Sequence, residues 1–458
     1  MKKIKVAILG GGITGVTLAK ELSDNSKFEV DLIEKASSLG GFHRNFEVGG
    51  IKYDIGAFTF HQRHNLFKSF PGILDLYQPI KNNFGSVVGK NSLDSYPCTL
   101  KGYIKHTGLR SVITTFLEMS FSKLIFWKRN NIPSFAKYYI GKNAYHKTGL
   151  KNYIERLYQV SDQDIDIQFA QKRLACIKNT GSLRKILKKR LKGQKDFLAP
   201  SVSKSAYVRP REGFSKIYDS LHQRLVNNGV SIKLNSQIKT IKKITASNKS
   251  LFEIEFLGEN KVYDEVVSTI PIPVVSQLIG QPLKQEFDSI NLLTLFYRFN
   301  GDTKHNHNVL HNFTSEGAWK KITTFSQYYG KHEGDDYFSV EITMNPDVKP
   351  DIIDQKQKFE AHVQSLGLYQ GEFKFQSSLV TKNAYPVYLR ENVDEVLKIK
   401  NKLKAWGLYL AGRQGEFDYL NSSDASASAV RISKLIKQNY LTEDDGINDH
   451  KLQELLTI

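Results

Sequence analysis

Near the start of the chain, Gly10-Gly11-Gly12-Ile13-Thr14-Gly15 follows the apolar run Ile4-Lys5-Val6-Ala7-Ile8-Leu9 and opens onto Val16-Thr17-Leu18-Ala19-Lys20-Glu21-Leu22. A strand, a glycine-rich turn and a helix in that order form the fingerprint of a dinucleotide site. Gly10 permits the tight turn, and Gly15 lets helix and strand pack closely. Gly12 lets the backbone approach a pyrophosphate at the helix N-terminus, where unpaired N–H groups and the helix dipole favour anions. A second apolar run, Val30-Asp31-Leu32-Ile33, ends at Glu34, where a carboxylate roughly 20 residues on accepts hydrogen bonds from ribose hydroxyls. Taken alone, the pattern admits either NAD or FAD.

Composition bounds what this site serves. With 458 residues, 40% hydrophobic and 24% charged, the chain reads as a globular protein of two or three domains. Met1-Lys2-Lys3 leads straight into the first strand, so no signal peptide is expected. The most apolar stretch, Val112 to Trp127, is broken by Glu118 and Lys123, short of a membrane span. Cys98 and Cys176 are the only cysteines, which excludes a disulfide framework and a cysteine-rich metal site; no metal is expected. The cytoplasm is the compartment these features imply. A net charge of +19 calls for a partner or a solvated face. Arg184-Lys185-Ile186-Leu187-Lys188-Lys189-Arg190-Leu191-Lys192 has the spacing of a basic amphipathic helix, either solvated or docked peripherally on the inner, anionic face of a membrane. No nucleic-acid recognition motif accompanies the charge.

The elements that position the turn are spread along the chain. Residues 1–65 give the first nucleotide-binding part and 66–205 a mainly helical insert. Residues 206–280 return to the nucleotide domain, with a helix from Ser215 to Asn227 and strands at Val230–Leu234, Phe252–Phe256 and Glu265–Thr269. Residues 281–390 form a second sheet region, 391–440 the last nucleotide-binding part with a closing helix from Ser423 to Gln438, and 441–458 a polar tail. The class is α/β, with a substrate region inserted between pieces of one nucleotide domain.

Together these pieces resemble the FAD-binding superfamily of protoporphyrinogen oxidase, monoamine oxidase, phytoene desaturase and UDP-galactopyranose mutase. The resemblance implies a Rossmann-type, GR2-like FAD domain with an inserted α+β substrate domain. It places Gly10, Gly12, Ile13, Thr14, Gly15, Glu34, Lys35, Gly41, Arg44, Asp54, Gly56, Ile238, Gly412 and Arg413 around FAD. Gly40-Gly41 with Arg44 would lie along the pyrophosphate, Tyr53-Asp54-Ile55-Gly56 beneath the flavin, and Ile238 near adenine. Four segments look closest to the sugar-nucleotide mutases: Gly56 to His61 is similar to "GAHxFH", Lys151 to Tyr158 to "KxYTEKxW", Ala384 to Tyr388 to "YYPxP", and Ala411 to Tyr419 to "GGRLGxYxY". Phe58 stands where the mutases have a histidine, Tyr158 replaces a tryptophan, and Ile177 occupies the place of the mobile-loop arginine, with Lys178 one position off.

In the mutase reading, the N5 of reduced FAD attacks the anomeric carbon of a nucleotide-linked sugar and expels the diphosphate without net redox change, a step of surface-polysaccharide biosynthesis. Arg413, Tyr419 and Tyr385 are the candidates for holding the diphosphate, His61 for acid–base work, and Tyr158, Arg209, Arg211, Lys321 and Phe417 for binding substrate. Each has a bland counterpart: Arg413 as a cofactor clasp, Tyr385 in the core, Arg209 and Arg211 flanking a loop, Glu341 as a paired strand residue. Two further classes stay open, an FAD-dependent oxidoreductase acting on an apolar or membrane-associated substrate, and a flavin-bearing partner without turnover.

Overall fold

The structure is a computed structural model describing residues 3–440 apart from 57, 90–91, 97, 99, 126–128, 169–170, 172–204, 247–248 and 284–286. The basic run at 184–192, Cys176, Ile177, Lys178 and the tail at 441–458 lie outside the described residues.

Ile4–Leu9 and Phe28–Ile33 share one burial pattern, with the last four residues of each buried. Strands buried on both faces belong to a parallel sheet covered by helices. Such a sheet forms here, in the order Tyr409–Leu410, Glu265–Ser268, Ile4–Leu9, Phe28–Ile33, Ser231–Lys233, with every pairing parallel. Strands from the beginning, middle and end of the sequence thus meet in one sheet. Val6, Ile8, Val16, Leu22 and Leu32 share a core with Phe214, Leu221, Ile432 and Ile436, which come from helices Phe214–Asn227 and Ser422–Tyr440.

A seven-stranded sheet stands beside it, ordered Tyr369–Pro386, Ser289–Thr303, Asp336–Met344, Trp319–Thr324, Val309–Asn312, Phe84–Val88, Ser92–Ser95. Asp336–Met344 is buried at all nine positions. The 66–205 segment, expected to be mainly helical, lends the last two strands of this sheet; Gln78–Lys81 also pairs with Ser205–Val208. Val87-Val88 is β-branched and its strand is short, so pairing with Val309–Asn312 on one side and Ser92–Ser95 on the other wins over helix. Among the described residues, the longer helices of this segment are Leu100–Ile125, broken at Gly108, then Ile132–Lys147, broken at Gly141, and Leu150–Tyr158. Asn131 and Ser134 close a reciprocal capping box at the second of these. Among the described residues, no helix is long and apolar enough to cross a membrane.

Candidate active site

The helix Ile13–Ser23 starts at Gly12 with no side-chain cap and no acidic residue in its first turn. Its first N–H groups therefore point outward unclaimed by side chains, which is the state that receives a phosphate. A Cβ on Gly15 would lie 1.9 Å from the Gly10 carbonyl oxygen, so only glycine lets the helix sit this close to the turn. Gly41 has φ +58°, and a Cβ there would come within 2.9 Å of Gly12 Cα, so the Gly40-Gly41 loop lies directly against the turn. Glu34 is buried at the end of its strand, its carboxylate accepting from Gly11 N at 2.7 Å and from Ala36 N at 2.8 Å. Arg44 stands 4.0 Å from Glu34, and its Nε is buried without a partner among the described residues. A cradle that a Cβ would fill, an uncapped helix end and a guanidinium with an unsatisfied N–H fit the diphosphate of a dinucleotide. Ile13 borders the cradle half-buried and Lys35 is exposed. The stretch 230–241 is two strands joined by a turn. Glu34 N donates to the Lys233 carbonyl, Ser236 N donates to the Glu34 carbonyl, and Ile238 opens the next strand past that turn.

The Asp54 carboxylate is already committed to protein. Arg209, itself buried, holds it in an ion pair, Asn45 donates to it at 2.6 Å and the Tyr329 hydroxyl at 3.3 Å. Burial pushes the Asp54 pKa up while Arg209 opposes it. Asp54 thus shapes the loop beside Gly56, whose added Cβ would meet the Phe58 ring, instead of offering its carboxylate to a ligand.

A second cluster forms where the seven-stranded sheet meets the segment that follows Tyr409–Leu410. In the pairing of Trp319–Thr324 with Asp336–Met344, Trp319 opposes Ile342 and Lys321 opposes Glu341, leaving Lys320 as the extra residue of a bulge. The bulge lets two consecutive lysines reach one carboxylate, with Lys320 Nζ 2.7 Å from Oε2 and Lys321 Nζ 2.7 Å from Oε1 of Glu341. Lys320 also donates to the Tyr385 hydroxyl at 3.0 Å. Tyr385 and Tyr419 stack with centroids 5.5 Å apart, and the Arg413 guanidinium carbon lies 5.6 and 5.4 Å from the two rings. Arg413 donates to the Leu420 carbonyl, from Nε at 2.7 Å, so it clasps its own loop while carrying its charge to the tyrosines. Burial alone would lower the Lys320 pKa, but Glu341 holds it above the ordinary lysine value. Burial likewise would raise Glu341, and the two lysines bring it below the ordinary carboxylate value. Lys320, Lys321 and Arg413 against Glu341 leave a surplus of positive charge beside two half-buried phenols.

The structure brings Arg413, Tyr385, Tyr419 and Lys321 into one cluster, commits Arg209, Phe417 and Tyr158 elsewhere, and leaves Arg211 and His61 exposed outside that cluster. Arg209 is spent on Asp54 and on backbone carbonyls, and Arg211 is exposed, its carbonyl accepting from Arg209 at 3.2 Å. Phe417 packs against Phe287 in the core and its carbonyl accepts from Tyr388, while Tyr158 is fully buried among apolar neighbours. His61 is exposed. Two residues were missed. Lys320 was hidden because an unbulged strand would turn it away from Glu341. His43 stands in the Gly40–Arg44 stretch, fully buried, 2.8 Å from the Tyr218 hydroxyl and stacked on Phe214. Burial lowers its pKa to about 3, helped by His64 and Arg413, so it stays neutral.

Residues 8–71 match the family described as NAD(P)-binding Rossmann-like domain. The chain is 26% identical over 303 residues to coproporphyrinogen III oxidase of Staphylococcus aureus, an alignment covering 60% of this chain and 62% of that relative's length. In fold it is similar to reduced UDP-galactopyranose mutase, with a TM-score of 0.72 at 16% identity over 98% of each chain. It is also similar to a protein assigned as protoporphyrinogen oxidase from Exiguobacterium, with a TM-score of 0.68 at 16% identity over 96% of this chain and 100% of that one. A putrescine oxidase variant shares the fold with a TM-score of 0.60 at 12% identity, covering 95% and 99%. A Rossmann dinucleotide unit built from three separated stretches and joined to a large mixed sheet is thus the fold this chain shares with a sugar-nucleotide mutase and two oxidases.

Proposed function

We propose that this protein is an FAD-dependent enzyme whose substrate is a nucleotide-linked sugar, held by its diphosphate. The observation that carries this reading is the convergence of Lys320, Arg413, Tyr385 and Tyr419, with Glu341 keeping Lys320 charged. When bound, FAD supplies a ring that accepts a hydride or, once reduced, offers a nucleophilic nitrogen. The cradle at Gly12, Gly41 and Arg44 holds the cofactor's own diphosphate. Lys320 and Arg413 neutralise the substrate's phosphates in a site of low dielectric, where a fixed cation is worth more than in water. Tyr385 and Tyr419 present hydroxyls and flat faces that fix a diphosphate and exclude water from it. His43 remains a neutral partner of Tyr218 and keeps positive charge away from the loop beside the flavin.

The test uses flavin-loaded protein. Titrated with UDP, it is expected to change its flavin absorbance spectrum, and Lys320→Met to weaken that response about tenfold or more with flavin content unchanged. After dithionite reduction, a panel of UDP-, dTDP- and GDP-sugars is separated by chromatography, and an isomeric sugar is the expected product. A second reading, oxidation of an anionic tetrapyrrole, is favoured by the alignment to coproporphyrinogen III oxidase. Oxygen uptake with coproporphyrinogen III and no response to any nucleotide would replace the first reading with the second.

A further inference from the structure

The described part of the apolar run singled out in the sequence, Val112 to Ile125, lies in the helix Leu100–Ile125, and one side of that helix is exposed. Leu109, Ile113, Leu117, Phe121 and Ile125 recur every fourth residue and are each 54–67% exposed, with Phe116 beside them. Residues four apart lie on one face of a helix, so these side chains form a continuous apolar stripe. The opposite face, with Val112, Thr115, Met119 and Ser122, is buried against the helix Ile132–Lys147. A stripe of this size on a protein surface marks a contact surface.

Two observations decide what covers it. The first is charge: residues 100–147 hold seven lysines and two arginines against one acid, Glu118. That carboxylate turns inward and accepts from Asn143 N at 2.6 Å, so it does not oppose the basic side chains. Lys105, Arg110 and Arg129 are exposed. The second is the fate of the hydroxyls on the exposed face. Thr114 donates to the Arg110 carbonyl at 3.0 Å and Ser120 to the Phe116 carbonyl at 3.0 Å. Polar groups satisfied within the helix are those that tolerate loss of water. An apolar face with inwardly satisfied hydroxyls, set among basic residues, matches the interface of a bilayer, where acyl chains meet anionic headgroups.

We infer that the helical hairpin 100–147 docks this protein peripherally on an anionic phospholipid surface, with the Leu109–Ile125 stripe lying in the headgroup–acyl boundary. No spanning segment is needed, and the inference is independent of which substrate the active site takes. Full-length, flavin-loaded protein is to be sedimented with vesicles of phosphatidylcholine alone and with about 30% phosphatidylglycerol. Binding is expected only to the anionic vesicles and is expected to fall as salt rises. The variant Leu117→Ser/Phe121→Ser is expected to lower the bound fraction about tenfold or more, since two buried apolar side chains are lost. Val348→Ser/Ile353→Ser, on exposed apolar residues elsewhere, is the control and is expected to bind as the parent does. Unchanged circular dichroism and flavin content certify folding of both variants. The inference is overturned if the parent fails to bind anionic vesicles or if the stripe variant binds equally well. It is also overturned if light scattering shows that the stripe holds two copies of the chain together while vesicle binding is unaffected.

Discussion

Glu341→Gln separates a preset anion site from ordinary sheet packing. Glu341 is 1% exposed and sits 2.7 Å from each of two ammonium groups. At an effective dielectric of about 20, each contact corresponds to about 6 kcal/mol of Coulomb attraction, set against the desolvation of all three groups. Removing the carboxylate charge leaves Lys320 buried and uncompensated, at a cost of about 3–5 kcal/mol. Lys320→Met should cost less, about 2–3 kcal/mol, because Glu341 keeps Lys321. In the double variant the buried Lys320 charge is gone and only Lys321, with 12% of its side chain exposed, loses its partner, so the cost should be about 3 kcal/mol instead of the sum of about 5–8 kcal/mol, a coupling of at least about 2 kcal/mol. The assay is urea unfolding of flavin-loaded protein by circular dichroism, with UDP affinity measured in parallel on the folded forms. Every variant that loses Lys320 or its charge should bind UDP about tenfold or more weakly. Additivity of the single-variant stabilities within about 0.5 kcal/mol would refute the triad as one electrostatic unit.

Gly41→Ala, at φ +58° and facing Gly12, should lower FAD affinity about tenfold or more, read from the flavin-to-protein absorbance ratio. Gly229→Ala, at φ +82° with nothing within 4 Å, should lose stability but not flavin; equal flavin content in both would refute the cradle. Arg209→Met strands the buried Asp54 carboxylate and should cost about 3–5 kcal/mol with UDP affinity of the folded protein unchanged, whereas weakened affinity at full stability would restore Arg209 as a substrate ligand. Burial lowers the His43 pKa from 6.5 to about 3 and the His64 pKa to about 4. The unfolded chain therefore takes up protons near pH 6.5 that the folded protein refuses, and the stability held above that pH is lost as pH falls. Each histidine accounts for about 2 kcal/mol between about pH 7 and about pH 5. His43→Phe should remove its share of that fall in urea midpoints, and an unchanged pH slope would contradict it.

The glycine turn, its flanking strand and helix and the acidic strand end were legible because each depends on neighbours in sequence. The helix read as Ser215–Asn227 begins at Phe214, and the closing helix read as Ser423–Gln438 spans Ser422–Tyr440. The insert was harder to read, because strands such as Phe84–Val88 are short and take one of their pairings from Val309–Asn312, distant in the chain. Arg209 looked like a free cation because nothing local reveals that Asp54, 155 residues earlier, is buried beside it. Lys321 was found and Lys320 was not, since strand alternation assigns consecutive side chains to opposite faces. Only the bulge opposite Glu341 reverses that assignment, and a bulge is a property of the paired strand.

The connection between the two clusters bears most directly on what the protein does. Gly412 has φ +76°, and a Cβ there would lie 2.3 Å from Thr14 Oγ1, so this residue rests on the helix N-terminus proposed to receive the cofactor diphosphate. The next residue, Arg413, carries its charge to Tyr385 and Tyr419, and its guanidinium is fixed by the Leu420 carbonyl. A single peptide unit thus joins the dinucleotide cradle to the cationic cluster. His43 lies on the same path: it belongs to the loop against Gly12, and Arg413 helps to keep it neutral. Glu341 compensates only one of the cations gathered here, and in the proposed reading the remaining positive charge awaits an anionic ligand. These cations are of use if the reacting part of an anionic substrate must be anchored within reach of the cofactor, with the charged part held and the rest free to turn. Under the proposed function that requirement would separate binding of a nucleotide-linked sugar from docking of an apolar amine, and Arg413 is the residue on which both clusters bear.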